Sequence, residues 1–553
     1  MYMKKLSSSF MLAALTMVSL NASADNINAS EARTVAKYFI QRHAPGLRAA
    51  SPADLQLSHA EASSVVAGAN DYYVFNIKGG GFIIVAGEDR ATQVIGYSDR
   101  GYIDMKNLPY GLKGLLSGYK KEIEFLQTYK ENDLVAVEPT INATAGVEPL
   151  IKTTWGQEMP YDRQCPTYQG QYCAVGCVAT AMAQVMYYWQ YPTQSSSIAS
   201  YYCSRIRQQL PALPATTFDY SKMLLSYCHW DWDLSELIQD TYTDEQAQEV
   251  AKLSRYCGQA VKMDYHPDGS GAYTSNQLSA MKNFGYSSNA QDVTKGSSGW
   301  WGGNNNYTTA QWESMMKTEL DAGRPILYSA DDPNDAGHAF ICDGYNSNNY
   351  FHFNLGWYGT CDGWYLSTAL NMVHRSGDEL HFSTGHEMLI GVEPPAYCII
   401  STDGLNAPSD ALSLGHSLNI EALNVNLRTS YNTVNLVFAL TDANGNRVCT
   451  SNNVAINKNT FAQGSTVSGI ITLPATLNEG TYDLQLYYYT TNPNNLTAIN
   501  CNGGQLNVVG RMAKYGEFDI DDVTMAINDL LYYNALGIDI EDVTTLINYL
   551  LYK

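Results

Sequence analysis

The spacing of apolar residues predicts a small mixed α/β unit at the start of the chain. Residues 30–39 have apolar positions at helical intervals, and Ser30 is a candidate N-cap. Strand-like runs at 72–77 and 82–86 are joined by three consecutive glycines at 79–81, which predicts a β-hairpin. A second helix is predicted at about 112–129. The stretch 131–149 has little periodicity and two Glu-Pro pairs, which is typical of a linker.

The pattern changes from helices to strands along residues 150–394. Helical spacing is predicted first, at 177–189, 244–262, 274–284 and 310–322. Strands are predicted after Arg324-Pro325, at 326–329, 338–343, 350–354 and 363–366. Helices followed by strands indicate an α+β domain.

Two further segments follow this domain. Residues 396–510 carry short alternating runs separated by turn signals, which favours a β-sandwich. Residues 515–553 hold an internal repeat, because the segment 519–524 recurs as 539–544. The repeat predicts two short helices. The predicted domains are therefore 25–140, 150–394, 396–510 and 515–553, with a linker at 141–149.

Composition narrows the possible partners and the compartment. The chain of 553 residues has 33 Lys and Arg against 54 Asp and Glu, a net charge of −21, which argues against nucleic acid or an anionic membrane as a partner. Residues 1–24 have a basic start, an apolar centre and a small-residue end, which predicts a signal peptide. No later apolar run reaches the length of a membrane span, so we expect an exported protein without a transmembrane anchor.

One of the eleven cysteines stands where a nucleophile is expected. Cys177 follows Gly176 and opens the helical run 177–189. A thiol at a helix N-terminus lies at the positive end of the helix dipole, which favours the thiolate. An odd number of cysteines in an exported chain leaves at least one unpaired, although parity does not identify which. A cysteine considered alone is more often a buried apolar residue.

Three distant residues supply the other parts of a thiol-dependent site. His338 opens a predicted strand and can act as general base and acid, and Asn354 on the next strand can orient that histidine. The order Cys, His, Asn is that of papain-like hydrolases. Gln157, upstream of the nucleophile, can donate to an oxyanion together with the backbone N–H of Cys177.

Several ordered motifs together resemble the streptopain (streptococcal cysteine protease) family. They are the segments at 176–177, 262–265, 283–286, 337–340 and 352–357. The resemblance covers about 150–394, and residues 25–140 resemble the inhibitory propeptide of that family. It implies a papain-like α+β peptidase domain in an endopeptidase that is made as a zymogen.

The resemblance also implies a role for each site residue. Cys177 corresponds to the nucleophile, His338 to the general base and then acid, Asn354 to the residue that orients the histidine, and Gln157 to the oxyanion donor. Trp357 matches the second tryptophan of the family and is expected to line the primed side of the cleft. The chain departs from the family at Leu355, where the family has a tryptophan that shields the histidine from water.

The terminal repeat resembles a dockerin that lacks its calcium ligands. Asp522 and Asp542 would occupy the twelfth position of the two loops. The first, third and fifth positions offer no carboxylate or amide, and calcium requires about six to eight oxygen ligands. We therefore expect no calcium there, and neither a metal nor another cofactor elsewhere, since the histidines show no zinc-site spacing. The loop positions concerned are Arg511, Ala513, Tyr515, Leu531, Tyr533 and Ala535.

The sequence therefore predicts a secreted cysteine endopeptidase that acts on proteins or peptides. Residues 25–140 would inhibit it within the same chain, by burying the cleft or displacing His338, until cleavage near 131–149. The C-terminal modules would bind a surface or a partner. Two alternatives stay open at this point: a binding or adhesion protein whose protease domain is impaired, and a related acyl-transfer enzyme such as a glutaminase or transglutaminase.

Overall fold

The computed structural model divides the chain into two units, Met1–Glu393 and Pro394–Lys553. The residues it describes are 26–43, 54–128, 134–136, 146–231, 236–296, 307–330, 338–369, 372–374, 386–408, 410–412, 417–474, 477–478, 480–509 and isolated positions between 523 and 547. The predicted signal peptide and Gly337 lie outside them.

The helices of the first unit lie where the apolar spacing predicts them. They are α1 Ala29–His43, α2 Tyr110–Thr128, α3 Cys177–Trp189, α4 Asp244–Ala260, α5 Ser275–Asn283 and α6 Thr309–Asp321, with a short 3-10 helix at Tyr220–Lys222.

The predicted cap of α1 is wrong by two residues. The side-chain oxygen of Asn28 accepts from the N–H groups of Ser30 (2.9 Å) and Glu31 (3.1 Å). The Glu31 carboxylate in turn accepts from the N–H of Asn28 at 2.8 Å. Asn28 therefore caps the helix in a reciprocal capping box, and Ser30 belongs to the first turn.

The strands of the first unit include all those predicted and several short ones that the sequence did not suggest. They are β1 Leu55–Ala62, β2 Asn70–Ile77, β3 Phe82–Ala86, β4 Val94–Ser98, β5 Leu134–Ala136, β6 Thr167–Tyr168, β7 Gln171–Tyr172, β8 Gln194–Ser195, β9 Tyr201–Cys203, β10 Gln208–Leu210, β11 Thr216–Thr217, β12 Cys228–Asp231, β13 Glu236–Gln239, β14 Gln291–Thr294, β15 Ile326–Ala330, β16 His338–Tyr345, β17 Phe351–Asn354, β18 Gly363–Tyr365, β19 Met372–His374 and β20 Glu387–Ile390.

One large sheet runs through both halves of this unit. Among the described residues it has ten strands, in the order β1-β2-β3-β4-β18-β17-β16-β15-β20-β14. The predicted hairpin is confirmed as the antiparallel pair β2–β3. The two halves join where β4 pairs antiparallel with β18, with Tyr97 opposite Trp364 and Gly96 opposite Tyr365. The N-terminal domain thus extends the sheet of the following domain.

The two halves also share one apolar core. Helix α2 has leucine, tyrosine and isoleucine at helical spacing, and this stripe is buried against the sheet. Leu116 of α2, Phe75 of β2, Phe340 of β16 and Phe353 of β17 belong to the same buried cluster. Helix α3 is apolar on nearly all sides and is correspondingly buried over most of its length.

Part of the predicted linker forms a strand. β5 pairs antiparallel with β19, and Val135 lies opposite Val373. The lack of periodicity at 131–149 predicted no regular structure, but two short runs from distant parts of the chain pair through their backbones. Most of the remaining linker lies outside the described residues.

The second unit contains the predicted β-sandwich. Its strands are β21 Cys398–Ser401, β22 Gly404–Asn406, β23 Asp410–Leu412, β24 Ser417–Thr429, β25 Thr433–Thr441, β26 Arg447–Thr450, β27 Val454–Asn457, β28 Ser465–Thr472, β29 Gly480–Tyr489, β30 Thr497–Ala498 and β31 Gln505–Val509. The described strands form a four-stranded and a seven-stranded sheet, with a core between them that includes Ile420, Phe438 and Leu486.

The terminal repeat is described only at isolated positions, where Val523 and Val543, which are related by the repeat, are both buried. Its two helices and its lack of calcium stay predictions. In the part of the chain that the structure describes, no helix is both long and apolar enough to cross a membrane.

Candidate active site

Cys177 is the first residue of α3, as the sequence predicts, and its side chain is partly exposed. Gly176 before it has a φ of 87°, a conformation that favours glycine. A Cβ atom at Gly176 would lie 2.6 Å from the Sδ atom of Met263, so that a side chain there would also collide with the neighbouring loop. Glycine is therefore required to bring the chain into the helix at this point.

The Cys177 thiol pairs with His338, the first residue of β16. Burial opposes ionisation of the thiol, but the charge and hydrogen bond of His338 and the N–H groups of Ala339 and Val178 together lower its pKa. Burial likewise opposes protonation of the imidazole, yet Cys177 and the Leu355 carbonyl raise the pKa of His338. Both shifts favour a thiolate–imidazolium pair, the reactive form of a cysteine nucleophile.

Cys177 differs from every other cysteine of the chain. All eleven are free thiols, so an odd count does not distinguish one of them. Burial raises the pKa of each of the other ten. Cys177 is thus the cysteine whose surroundings favour the thiolate.

His338 contacts the backbone of the turn that carries Asn354. Its Nε2 atom lies 3.4 Å from the carbonyl oxygen of Leu355. The side-chain oxygen of Asn354 accepts from Gln184 Nε2 (3.0 Å) and from the N–H of Gly356 (3.1 Å). Asn354 Nδ2 donates to the Thr153 carbonyl at 2.8 Å. Asn354 therefore lies next to the histidine but holds the turn, and its orienting role stays a prediction.

Leu355, where the family has tryptophan, is fully buried in the core of the first unit. Its N–H donates to the carboxylate of Asp362 at 2.8 Å. His338 itself is only 2% exposed. With the N-terminal domain in place, the histidine is therefore buried although the tryptophan is absent.

Gln157 and Trp357 line one cavity of about 260 Å³. Gln157 is tied to the nucleophile loop, because its carbonyl accepts from the N–H of Val175 at 2.8 Å. Trp357 is half-buried on the same cavity, which neither Cys177 nor His338 lines, so its place in a wall of the cleft stays a prediction. Tyr102 and Asn107 of the N-terminal domain also line the cavity. Donation from the Gln157 side chain to an oxyanion stays a prediction.

The N-terminal domain lies directly over the site. A Cβ atom at Gly111 of α2 would lie 2.9 Å from the Cδ2 atom of His338. The segment after β4 follows the loop after Trp357, since the N–H of Tyr102 donates to the Thr360 carbonyl at 2.7 Å and Ser98 Oγ to the Asp362 carbonyl at 2.7 Å. These contacts cover the histidine and the loop after Trp357.

Sequence reasoning missed the buried polar residues behind the site. Gln184, Asp343 and Asp362 are each 5% exposed or less. Asp343 pairs with His352 at 2.6 Å and accepts from the N–H of Ile151 at 2.9 Å. A glutamine within the apolar run of α3 was the available signal, because a buried amide requires partners. In the described part of the chain, no three His, Cys, Asp or Glu side chains are placed to hold a metal ion.

A thiol at a helix N-terminus that is hydrogen-bonded to a histidine and covered by a preceding domain is typical of a cysteine peptidase with an inhibitory propeptide. Residues 155–365 match the peptidase C10 family, and residues 24–123 match the Spi protease inhibitor family. The chain belongs to the peptidase C10 (streptopain) family of cysteine endopeptidases and carries the inhibitory domain found with it.

The chain is similar to streptopain of Streptococcus pyogenes serotype M1, with 28% identity over 66% of this chain and 92% of streptopain. It is also 27% identical to the thiol protease/hemagglutinin PrtT of Porphyromonas gingivalis, over 76% of this chain but only 48% of PrtT. A solved fragment of prointerpain A from Prevotella intermedia has 29% identity and a TM-score of 0.48, covering 61% of this chain and 98% of the fragment.

Proposed function

We propose that this protein is an exported endopeptidase zymogen in which Cys177 and His338 carry out peptide hydrolysis. The observation that carries the proposal is the hydrogen bond between Cys177, the first residue of α3, and His338, the first residue of β16. The pKa shifts of the two side chains agree with this pairing, since the pKa is lowered for the thiol and raised for the imidazole. Export rests on the signal-like composition of residues 1–24.

In the proposed reaction, the Cys177 thiolate attacks the carbonyl carbon of the scissile peptide. The backbone N–H of Cys177 and the amide of Gln157 stabilise the oxyanion that develops. The His338 imidazolium then protonates the leaving amine, and a thioester to Cys177 results. His338 next removes a proton from water, which hydrolyses the thioester and restores the thiol.

The inhibitory domain is proposed to act by covering an assembled site. Cys177 and His338 interact while α2 lies against the histidine and Tyr102 and Asn107 share a cavity with Gln157 and Trp357. Of the two routes that the sequence leaves open, burial of the cleft and displacement of His338, this geometry favours burial. Cleavage within 131–149 would allow the inhibitory domain to leave. The C-terminal units are proposed to bind a surface or a partner.

The test is hydrolysis of casein by the processed protein, measured as new amino termini, together with labelling by an epoxide that alkylates active thiols. We expect both reactions in the parent and neither in Cys177→Ala. Cys501→Ala removes a partly exposed thiol of the second unit and is expected to react as the parent does. Labelling without casein hydrolysis would favour acyl transfer, and no labelling of Cys177 would contradict the proposal. A pure Cys177→Ala precursor that is still cut within 131–149 would contradict self-processing.

A further inference from the structure

Gln184 is a buried amide on the helix that carries the proposed nucleophile. It lies about two turns beyond Cys177 on α3, so that both residues are on the same side of the helix. Its side chain is fully buried among apolar residues. An amide in such surroundings destabilises the fold if its hydrogen bonds are unmade, so its partners matter.

The amide of Gln184 joins three segments of the site. Its Nε2 atom donates to Asn354 Oδ1 at 3.0 Å. Its Oε1 atom accepts from Thr153 Oγ1 at 2.8 Å and from the N–H of Trp155 at 3.3 Å. One side chain therefore connects the nucleophile helix, the segment that leads to the proposed oxyanion donor, and the turn beside the histidine.

The contact with Asn354 extends to His338 through a single peptide group. Asn354 Oδ1 also accepts from the N–H of Gly356 at 3.1 Å. That N–H belongs to the same peptide group as the Leu355 carbonyl, which lies 3.4 Å from His338 Nε2. Because Gln184 Nε2 donates to Asn354 Oδ1, the oxygen of the Asn354 amide, and not its nitrogen, faces this peptide group. The carbonyl oxygen of the same peptide group is the acceptor beside the imidazole.

We propose that Gln184 is a positioning residue for the reaction: through Asn354 and the Leu355–Gly356 peptide it holds His338 in register with Cys177. This inference rests on the proposed function. Gln184 touches neither the substrate nor the reacting atoms. Its contribution is to align the histidine with the thiol on its own helix, and misalignment of a catalytic group by 1 Å can cost about 10²-fold in rate.

The test compares Gln184→Met, which removes the donor and the acceptor, with Gln184→Glu, whose carboxylate in its ionised form still accepts from Thr153 and Trp155 but does not donate to Asn354. Gln259→Met is the control, because Gln259 is also a buried glutamine of this unit and its amide bonds Ala199 and Pro211, away from the site. Each full-length variant is processed with immobilised parent enzyme and assayed for peptide hydrolysis and for Cys177 alkylation by iodoacetamide across pH.

We expect both Gln184 variants to lose about 10- to 100-fold in kcat with little change in KM. Alkylation of Gln184→Met at acidic pH should fall about tenfold, because a misaligned imidazolium stabilises the thiolate less. Gln184→Glu is compared at pH values where its carboxylate is ionised, since its protonated carboxyl is itself a donor. Gln259→Met should change neither. The inference is overturned if Gln184→Met and Gln184→Glu match Gln259→Met, and if Gln184→Met does not fold, Gln184→Glu alone decides. Failure of the parent itself to alkylate at Cys177 would contradict the proposed function instead.

Discussion

Gly111 of the inhibitory domain lies against His338 of the peptidase domain. A Cβ atom on Gly111 would lie 2.9 Å from His338 Cδ2 and 2.8 Å from Phe340 Cδ1, closer than real side chains approach. The first turn of α2 therefore packs on the proposed catalytic histidine only because this position has no side chain. The contact belongs to the shared core of the first unit. The inhibitory domain therefore covers the histidine whenever it is docked on the peptidase domain.

Gly111→Ala should accelerate zymogen processing. The added methyl group should weaken the packing of α2 on the peptidase domain, because overpacking costs about 1–3 kcal/mol. The better helix propensity of alanine offsets roughly 1 kcal/mol of that cost. The half-time of conversion, followed on gels, should shorten several-fold.

Gly118→Ala is the matched control for that substitution, because Gly118 is in the same helix and has no neighbouring atom within 4 Å of an added Cβ. It should process no faster than the parent. Equal half-times for the two variants would show that Gly111 does not govern docking.

Alkylation of Cys177 should report the ion pair. Since the pKa of Cys177 is lowered and that of His338 raised, the pair exists between two apparent pKa values that belong to both groups together. The iodoacetamide rate of the processed enzyme should therefore stay high below the ordinary thiol range and fall only at more acidic pH. In His338→Ala the rate should depend on pH as in an ordinary thiol, with a midpoint near or above about 8.5. Identical profiles would argue against pairing.

The inhibitory domain should lose stability as pH rises through about 6. Asp71 is fully buried, and although Lys120 lies 3.2 Å away, burial raises the pKa of Asp71 from 3.8 to about 6. Because the pKa of Asp71 is raised in the folded state, the contribution of its protonated carboxyl to the free energy of unfolding is complete below about pH 4. That contribution is lost as pH rises through about 6. The contribution is at most about 3 kcal/mol.

Urea unfolding of the Cys177→Ala zymogen at several pH values measures this loss. Asp71→Asn should reduce the pH dependence of the free energy of unfolding but not abolish it, because burial also raises the pKa of Asp162, Asp292 and Asp362 to about 6. Substitution of the exposed Asp99 by asparagine should leave the dependence as in the parent. An unchanged slope in Asp71→Asn would contradict the prediction.

The β-sandwich should respond to Gly469→Ala independently of the peptidase. A Cβ atom at Gly469 on β28 would lie 2.2 Å from Phe438 Cδ2 in the sandwich core. Overpacking of this kind costs about 1–3 kcal/mol, so calorimetry should show one transition lowered by several degrees. Ile470→Ser, at an exposed neighbouring position, should change it little. Loss of casein hydrolysis in Gly469→Ala would contradict independence of the two units.

Local elements followed directly from the sequence. The apolar run of α3, bounded by Gly176 and by the residues before Pro192, predicted the helix and the place of Cys177 at its start. Three glycines predicted the β2–β3 hairpin. The choice of Ser30 as a cap failed because several residues with similar capping preference stand close together near the start of α1.

The tertiary structure decided how these elements meet. Gln184 and Asn354 are 170 residues apart, and their hydrogen bond, like the approach of Gly111 to His338, depends on the packing of separate elements. Apolar periodicity shows which face of an element is buried, but not against which partner. The sequence alone therefore determined the class of protein, and it predicted the nucleophile and its candidate partners. Contacts between residues distant in the chain decided the rest. They placed the Leu355–Gly356 peptide group beside the histidine, and they joined the inhibitory and peptidase domains in one sheet.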